Sequence, residues 1–359
     1  MDDRLTQLVG AEQYSVREHD KAPLMNAGMR ELVERHRDRC LEYRRILAAA
    51  YPDAAGARDL AATPYLPVGL FKWLELKSVP EDDVFKVLTS SGTTGQVPSR
   101  IYLDIETAQL QTRALSSIVT HYLGPRRLPM LIVDHPGVIA DRRQLTARGV
   151  GILGMMSYGR DHQFALDSNM SLDLPAVEAW LERHAGEDLL IFGFTAMVWQ
   201  YLQEPLADRG IDLSRATLIH SGGWKKLVDV GVSNEGFKVR LREVFGIERV
   251  HNFYGMVEQV GSVFFECPAG FFHPPNFAEV IVRDPRTWLP APIGTEGVIE
   301  VLSLLPLSYP GHALLTEDLG TIHGLDDCPC GRAGRRFTIR GRVPKAEVRG
   351  CSDTHVRPS

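Results

Sequence analysis

Residues 189–202 read LLIFGFTAMVWQYL. Leu189–Phe194 has the short apolar run of a strand, and Thr195–Leu202 has the spacing of a helix. The pairing repeats on both sides. Pro129–Val133 (PMLIV) is a buried-strand pattern, and a helix follows at Leu174–Ala185. Ala216–His220 is a strand, Glu235–Phe245 a helix and Arg249–Tyr254 a strand. Strands alternating with helices predict an α/β sheet of largely parallel strands. After about residue 276 the pattern changes to strands alone: FAEVIVRD, GVIEVLSLLP, then the Ala313–Ile322 and Phe337–Ile339 regions. A β-rich subdomain over about 277–341 is expected there. Nearer the N-terminus, Met29, Leu32, Val33, His36, Cys40, Tyr43 and Leu47 recur at three- and four-residue spacings. They predict one long amphipathic helix over 24–51, ended by Pro52. The Pro-bounded PYLPVGLFKWLELKSVP that follows reads as irregular.

Composition narrows the function. The 359 residues are 44% hydrophobic and 24% charged, with material for a large core. A net charge of −5 argues against a nucleic-acid or anionic-membrane partner. No run approaches the roughly 18 apolar residues of a membrane span, and the polar start MDDRLTQLVGAEQ is unlike a signal peptide. Five cysteines do not suggest a disulfide framework, so a cytoplasmic, reducing setting is the default. A homodimer is the base-rate expectation for oligomeric state.

Ligands of a doubly wound sheet collect at the carboxyl ends of its strands, and the sequence is distinctive there. Two predicted strands, Val84–Thr89 and Arg100–Leu103, flank Ser90-Ser91-Gly92-Thr93-Thr94-Gly95. Such a loop can fold its N–H groups around an anion, with hydroxyls as further donors; a merely polar hairpin is the alternative. His220-Ser221-Gly222-Gly223-Trp224-Lys225-Lys226 ends another strand, its glycines admitting a flat ligand and its lysines facing anionic groups. Tyr254-Gly255-Met256-Val257-Glu258 offers an aromatic face and a carboxylate. Thr316-Glu317-Asp318 and Gly341-Arg342 complete the series.

In that order these motifs resemble the adenylate-forming superfamily. The stretches TSSGTTG, HSGGWKKL, FYGMVEQ, CPCGR and RGCSD most resemble the LuxE-type acyl-protein synthetases within it. The resemblance spans residues 64–353 and implies an adenylate-forming domain over 1–341 with a short tail at 342–359. It implies that Ser90, Ser91, Gly92, Thr93, Thr94 and Gly95 follow the ATP phosphates, and no Walker Gly-Lys-Ser/Thr competes with that reading. Tyr254 would stack on adenine, with Gly222, Gly223 and Gly255 lining the nucleotide site. Glu258 would hold Mg²⁺, a hard cation that takes one or two carboxylates beside phosphates. Asp318 would accept from the ribose hydroxyls, Arg342 would donate to the nucleotide, and Lys225 would serve the anionic groups.

The implied reaction is attack of a carboxylate on the α-phosphorus of ATP, giving acyl-AMP and pyrophosphate, then acyl transfer to a thiol. It needs positioning and charge neutralisation more than acid–base groups. Two departures from the superfamily bear on it. A Lys expected soon after the Gly-rich loop is missing, leaving Arg100 as the nearest substitute. The large C-terminal domain with its catalytic lysine is also expected to be absent, since 17 residues follow Arg342 here. Cys351, flanked by Lys345 and Arg349, matches the family's own acyl-accepting cysteine. Other acceptors are CoA, a carrier protein or an acyl reductase. A phenylacetate-CoA-ligase-like synthetase, and a nucleotide- or acyl-adenylate-binding protein with little turnover, are the competing readings.

Cys267, His273, Cys328 and Cys330 make a separate set. Three cysteines and a histidine suit a tetrahedral Zn²⁺, although Cys-x-Cys is tighter than the common Cys-x₂-Cys spacing.

Overall fold

The computed structural model describes residues 3–52, 59–90, 97–140, 147–222, 224, 227 and 229–343. The chain begins with α1 (Asp3–Gly10), α2 (Glu18–Arg39) and α3 (Leu41–Ala50). The single helix expected over 24–51 is therefore two. Cys40 is extended (φ −119°, ψ 112°) and its side chain is buried. The Arg44 guanidinium donates to the Arg37 and Asp38 carbonyls at 2.8 and 2.7 Å, satisfying acceptors that the break releases. Next come β1 (Leu66–Pro67), a 3-10 turn Val68–Lys72, the hairpin β2 (Lys86–Thr89) and β3 (Arg100–Leu103), and α4 (Ile105–Leu123).

The stretch from Leu123 to Tyr254 forms one compact unit. It holds β4 (Leu128–Ile132), α5 (Ala147–Met156), β5 (Gly159–Phe164), α6 (Leu174–Arg183) and β6 (Leu189–Phe194). A helical stretch follows, α7 (Thr195–Val198), a π turn Trp199–Gln203 and α8 (Glu204–Leu206). Then come β7 (Ala216–Ser221), α9 (Asn234–Phe245) and β8 (Arg249–Tyr254). The sheet runs β5-β4-β6-β7-β8, all parallel. All six residues of β6 are buried, which is why a central parallel strand reads as an unbroken apolar run. Leu131, Ile191, Leu218 and Val250 pack with Trp180, Phe237 and Leu241 in this unit's core.

The second unit joins the described residues up to Tyr122 with those from Gly255 to Val343. Its late strands are β9 (Phe264–Glu266), β10 (Phe272–His273), β11 (Ala278–Arg283), β12 (Glu296–Ser303), β13 (Ala313–Leu325) and β14 (Arg335–Arg342). They form an antiparallel sheet ordered β11-β12-β13-β14-β10-β9, with β1 pairing parallel to β13. No described helix is long and apolar enough to cross a membrane.

Three histidines in these cores are neutral. Burial holds His36 and His220 well below the ordinary imidazole range and His312 at about 3. His36 sits between Ser78 Oγ (2.8 Å) and the Pro306 carbonyl (3.0 Å), and its ring stacks on His312 at 5.1 Å. Because folding depresses these values, their contribution is full above the unfolded value near 6.5 and is lost as pH falls below it. Glu300, lifted by burial to about 7, works in the opposite direction over the same interval. Glu18, Asp134 and Glu258 are lifted by burial as well, but the depressed histidines, with His121, His273 and His323 among them, outnumber these acids. Denaturant unfolding should therefore show lower stability at pH 5 than at pH 6.5. Equal stability at the two pH values would contradict the burial of these rings.

Candidate active site and metal centre

The hairpin β2–β3 carries the hydroxyl-rich loop, and the structure defines its base. Ser90 and Ser99 close it reciprocally: the Ser99 amide donates to Ser90 Oγ (2.8 Å) and the Ser90 amide to the Ser99 carbonyl (3.2 Å). The Ser99 hydroxyl is buried. It lies where it acts on the carboxyl of Glu258, in the 3-10 turn Val257–Gln259. Glu258 is 7% exposed. Burial raises its carboxyl above the usual range, while a hydrogen bond from Ser99, one from its own backbone and then the charge of Lys72 pull it back. A buried carboxyl beside a buried hydroxyl suits a hard cation or its bound water.

Asp318 and Arg342 face each other across β13 and β14, with Arg342 Nε 3.9 Å from Asp318 Oδ1. Arg342 NH1 is 3.9 Å from Glu317 Oε2. Local bonds shape this end of the strand: Thr316 Oγ1 donates to the Ile299 carbonyl (2.8 Å) and accepts from the Asp318 amide (3.1 Å). Both side chains stay partly exposed, so a ligand can reach them.

In the parallel unit, Gly222 and Tyr254 stand at the carboxyl ends of the neighbouring strands β7 and β8. Gly222 has φ +64°, a conformation that favours glycine. Ser221 Oγ donates to the Phe253 carbonyl (2.7 Å), tying these two ends together. Gly255 differs: an added methyl would meet only ordinary contacts, at 3.6 Å or more, so crowding does not demand glycine there. Ser91, Gly92, Thr93, Thr94, Gly95, Gly223, Lys225 and Cys351 lie outside the described residues. Arg100, the expected substitute for the loop lysine, is exposed and acts on Glu75.

The cysteine–histidine set converges. Cys267 follows β9 and opens a tight turn, its amide bonded to the Phe271 carbonyl (2.8 Å), while His273 lies on β10. Cys328 and Cys330 occupy the β13–β14 turn, closed by the Asp326 amide on the Gly334 carbonyl (3.0 Å). Sulfur separations are 3.9 Å for Cys267–Cys328 and 3.2 Å for Cys328–Cys330, and Cys330 Sγ is 3.6 Å from His273 Nε2. All four ligand atoms fall within 4.8 Å of one another. Tetrahedral zinc, with Zn–S bonds of about 2.3 Å, sets its sulfurs about 3.8 Å apart. Burial holds His273 at about 4, hence neutral, and pushes Cys328 up to about 12 and Cys267 upward. Cys330 lies below its ordinary value: burial is outweighed by hydrogen bonds from Arg332 and its neighbouring thiols. The Arg332 guanidinium also covers the Tyr14 and Tyr122 rings, at 5.5 and 5.1 Å from their centroids.

Sequence reasoning missed Ser99, Lys72 and Arg332. Proximity to the marked motifs was a signal only for Ser99 and Arg332; Lys72 lies in a segment read as irregular.

Residues 2–357 match the family described as acyl-protein synthetase, LuxE. This chain belongs to that family. The "long-chain-fatty-acid–luciferin-component ligase" of Vibrio harveyi is 25% identical to this LuxE-family protein over 313 residues, 82% of this chain and 77% of that one. Among solved structures, 2-hydroxyisobutyryl-CoA ligase in an open conformation with 2-HIB-AMP and CoA aligns with a TM-score of 0.66. The identity is 18%, covering 91% of this chain and 71% of that chain. The same ligase in its thioesterification state gives 0.68 at 18% identity, covering 92% and 70%. The LuxE-family chain thus has the adenylate-forming fold, with a parallel sheet flanked by helices and an antiparallel sheet, as expected from its sequence.

Proposed function

We propose that this protein activates a carboxylic acid with ATP, forming an acyl-adenylate and releasing pyrophosphate, and then passes the acyl group to a thiol. Membership of the acyl-protein synthetase family carries the reading. The pinned base of the Ser/Thr/Gly loop beside a buried carboxyl supports it. In the first step a carboxylate oxygen bonds to the α-phosphorus and the bond to the departing pyrophosphate breaks. In the second a thiolate attacks the acyl carbon and AMP leaves.

Ser90 and the loop donors hold phosphate oxygens, Glu258 holds Mg²⁺, and Asp318 and Arg342 meet the ribose and the nucleotide. Tyr254 stacks on adenine beside the Gly222–Gly223 backbone, and Gly255 leaves its approach clear. Lys225 neutralises anionic groups. Mg²⁺, when bound, supplies charge neutralisation at the phosphoryl oxygens. The Vibrio harveyi relative is named for a long-chain fatty acid and a luciferin component, which makes fatty acids the first substrates to try. The acceptor we favour is Cys351; CoA, a carrier protein and an acyl reductase are the others. Radiolabelled acid with ATP separates them: base-labile label on this chain supports transfer to its own thiol, and label recovered only as acyl-CoA contradicts it.

Cys267, His273, Cys328 and Cys330 hold a structural Zn²⁺ that staples the β9–β10 hairpin to the β13–β14 turn. Metal analysis of protein purified without added zinc should find about one zinc per chain. Chelation, or Cys328→Ser, should lower the melting temperature by at least ~10 °C, since structural zinc contributes directly to folding. Folded, active protein without metal would end the assignment.

A further inference from the structure

The loop lacks the lysine expected behind it, and Arg100 is exposed. A different cation stands at its base. β1 pairs parallel with β13 through Leu66–Leu314 and Pro67–Leu315, so the chain leaving β1 starts beside Thr316 and winds into the 3-10 turn Val68–Lys72. Phe71 is fully buried and packs edge-on against the Tyr309 ring, 6.2 Å between centroids. Tyr309 in turn receives a hydrogen bond from Gln111 Nε2 at 3.3 Å. Two residues on, a methyl at Gly311 would strike the Tyr309 ring at 2.3 Å and the Glu258 carbonyl at 2.8 Å. The Phe71 anchor therefore belongs to the same close-packed knot as the backbone of Glu258, and Lys72 is the next residue. Lys72 is half-buried and acts on the Glu258 carboxyl, as Glu317 does with the opposite sign.

We propose that Lys72 is a phosphate-binding residue of this site, its ammonium meeting an anionic oxygen of the ATP polyphosphate. The inference deepens the adenylation reading and rests on it. A carboxylate alone repels phosphate. The same centre with an ammonium, the buried Ser99 hydroxyl and the loop-base Ser90 can receive an anion accompanied by its metal. A lysine fits such a place because it acts as a compact point charge whose stem packs while its head turns to the ligand.

The test compares parent, Lys72→Met and Lys72→Arg by calorimetric titration with Mg·ATP and by melting temperature, neither of which needs the acid to be known. Lys72→Met should weaken ATP at least tenfold while melting within a few degrees of the parent. Lys72→Arg should recover part of the affinity, because the charge returns in a different shape. If Lys72→Met binds ATP as the parent does, Lys72 is only an internal partner of Glu258 and the proposal fails. It fails equally if Lys72→Met loses affinity only together with a large fall in melting temperature and Lys72→Arg, folded normally, recovers none. A parent that binds no ATP overturns the adenylation reading itself, and the inference with it.

Discussion

Cys351→Ser is expected to lose all hydroxylamine-labile acyl label while still exchanging pyrophosphate into ATP. The reason is chemical. A thiolate attacks a mixed anhydride far more readily than a hydroxyl does, and a serine has no comparable ionised form near neutral pH. Lys345 and Arg349 lie six positions and two positions before Cys351 in the sequence, and cations brought near it would favour its thiolate. The separation of the two half-reactions is what makes the variant informative: adenylation uses the nucleotide residues, and transfer uses the thiol. A serine variant that labels as strongly as the parent would assign the acceptor role to CoA or a partner protein.

Glu258→Gln is the second large effect. The amide keeps the shape in a position that is 7% exposed, but removes the charge that a cation would meet. Acid-dependent pyrophosphate release should fall by 10- to 100-fold, about 1.4 to 2.7 kcal/mol of transition-state stabilisation. Melting temperature should hold or rise slightly, since burial penalises the ionised carboxylate that the substitution removes. Unchanged turnover would remove Glu258 from the metal role.

The parallel half of the fold was legible because its strands are covered on both faces. β4 and β6 are apolar runs and β7 is buried except at its last residue, and β6 ends on Phe194 while β7 runs into Gly222-Gly223. β5 was not found: GRDHQF pairs only with β4 at the edge of the sheet, and only Gly159 in it is buried. α4 was missed for another reason. Its inward face includes Thr107 and Gln111, two buried polar residues that interrupt the apolar stripe on which a sequence reading depends. The cysteine–histidine set was readable across some sixty residues because ligand chemistry singles out so few residue types. Lys72 and Ser99 were not, because only the β1–β13 pairing and the closure of the β2–β3 hairpin bring them to Glu258. The segment 64–80, read as irregular, is in part the 3-10 turn that carries Lys72.

The central claim is acid activation, and pyrophosphate release measured over a panel of saturated fatty acids and aromatic acids addresses it directly, with Mg·ATP present and no CoA. The account predicts release above the no-acid blank for at least one acid, with a first turnover that does not require an added acceptor. Background release alone across the whole panel, from folded protein that binds ATP, would contradict it and leave a nucleotide-binding protein in place of an enzyme.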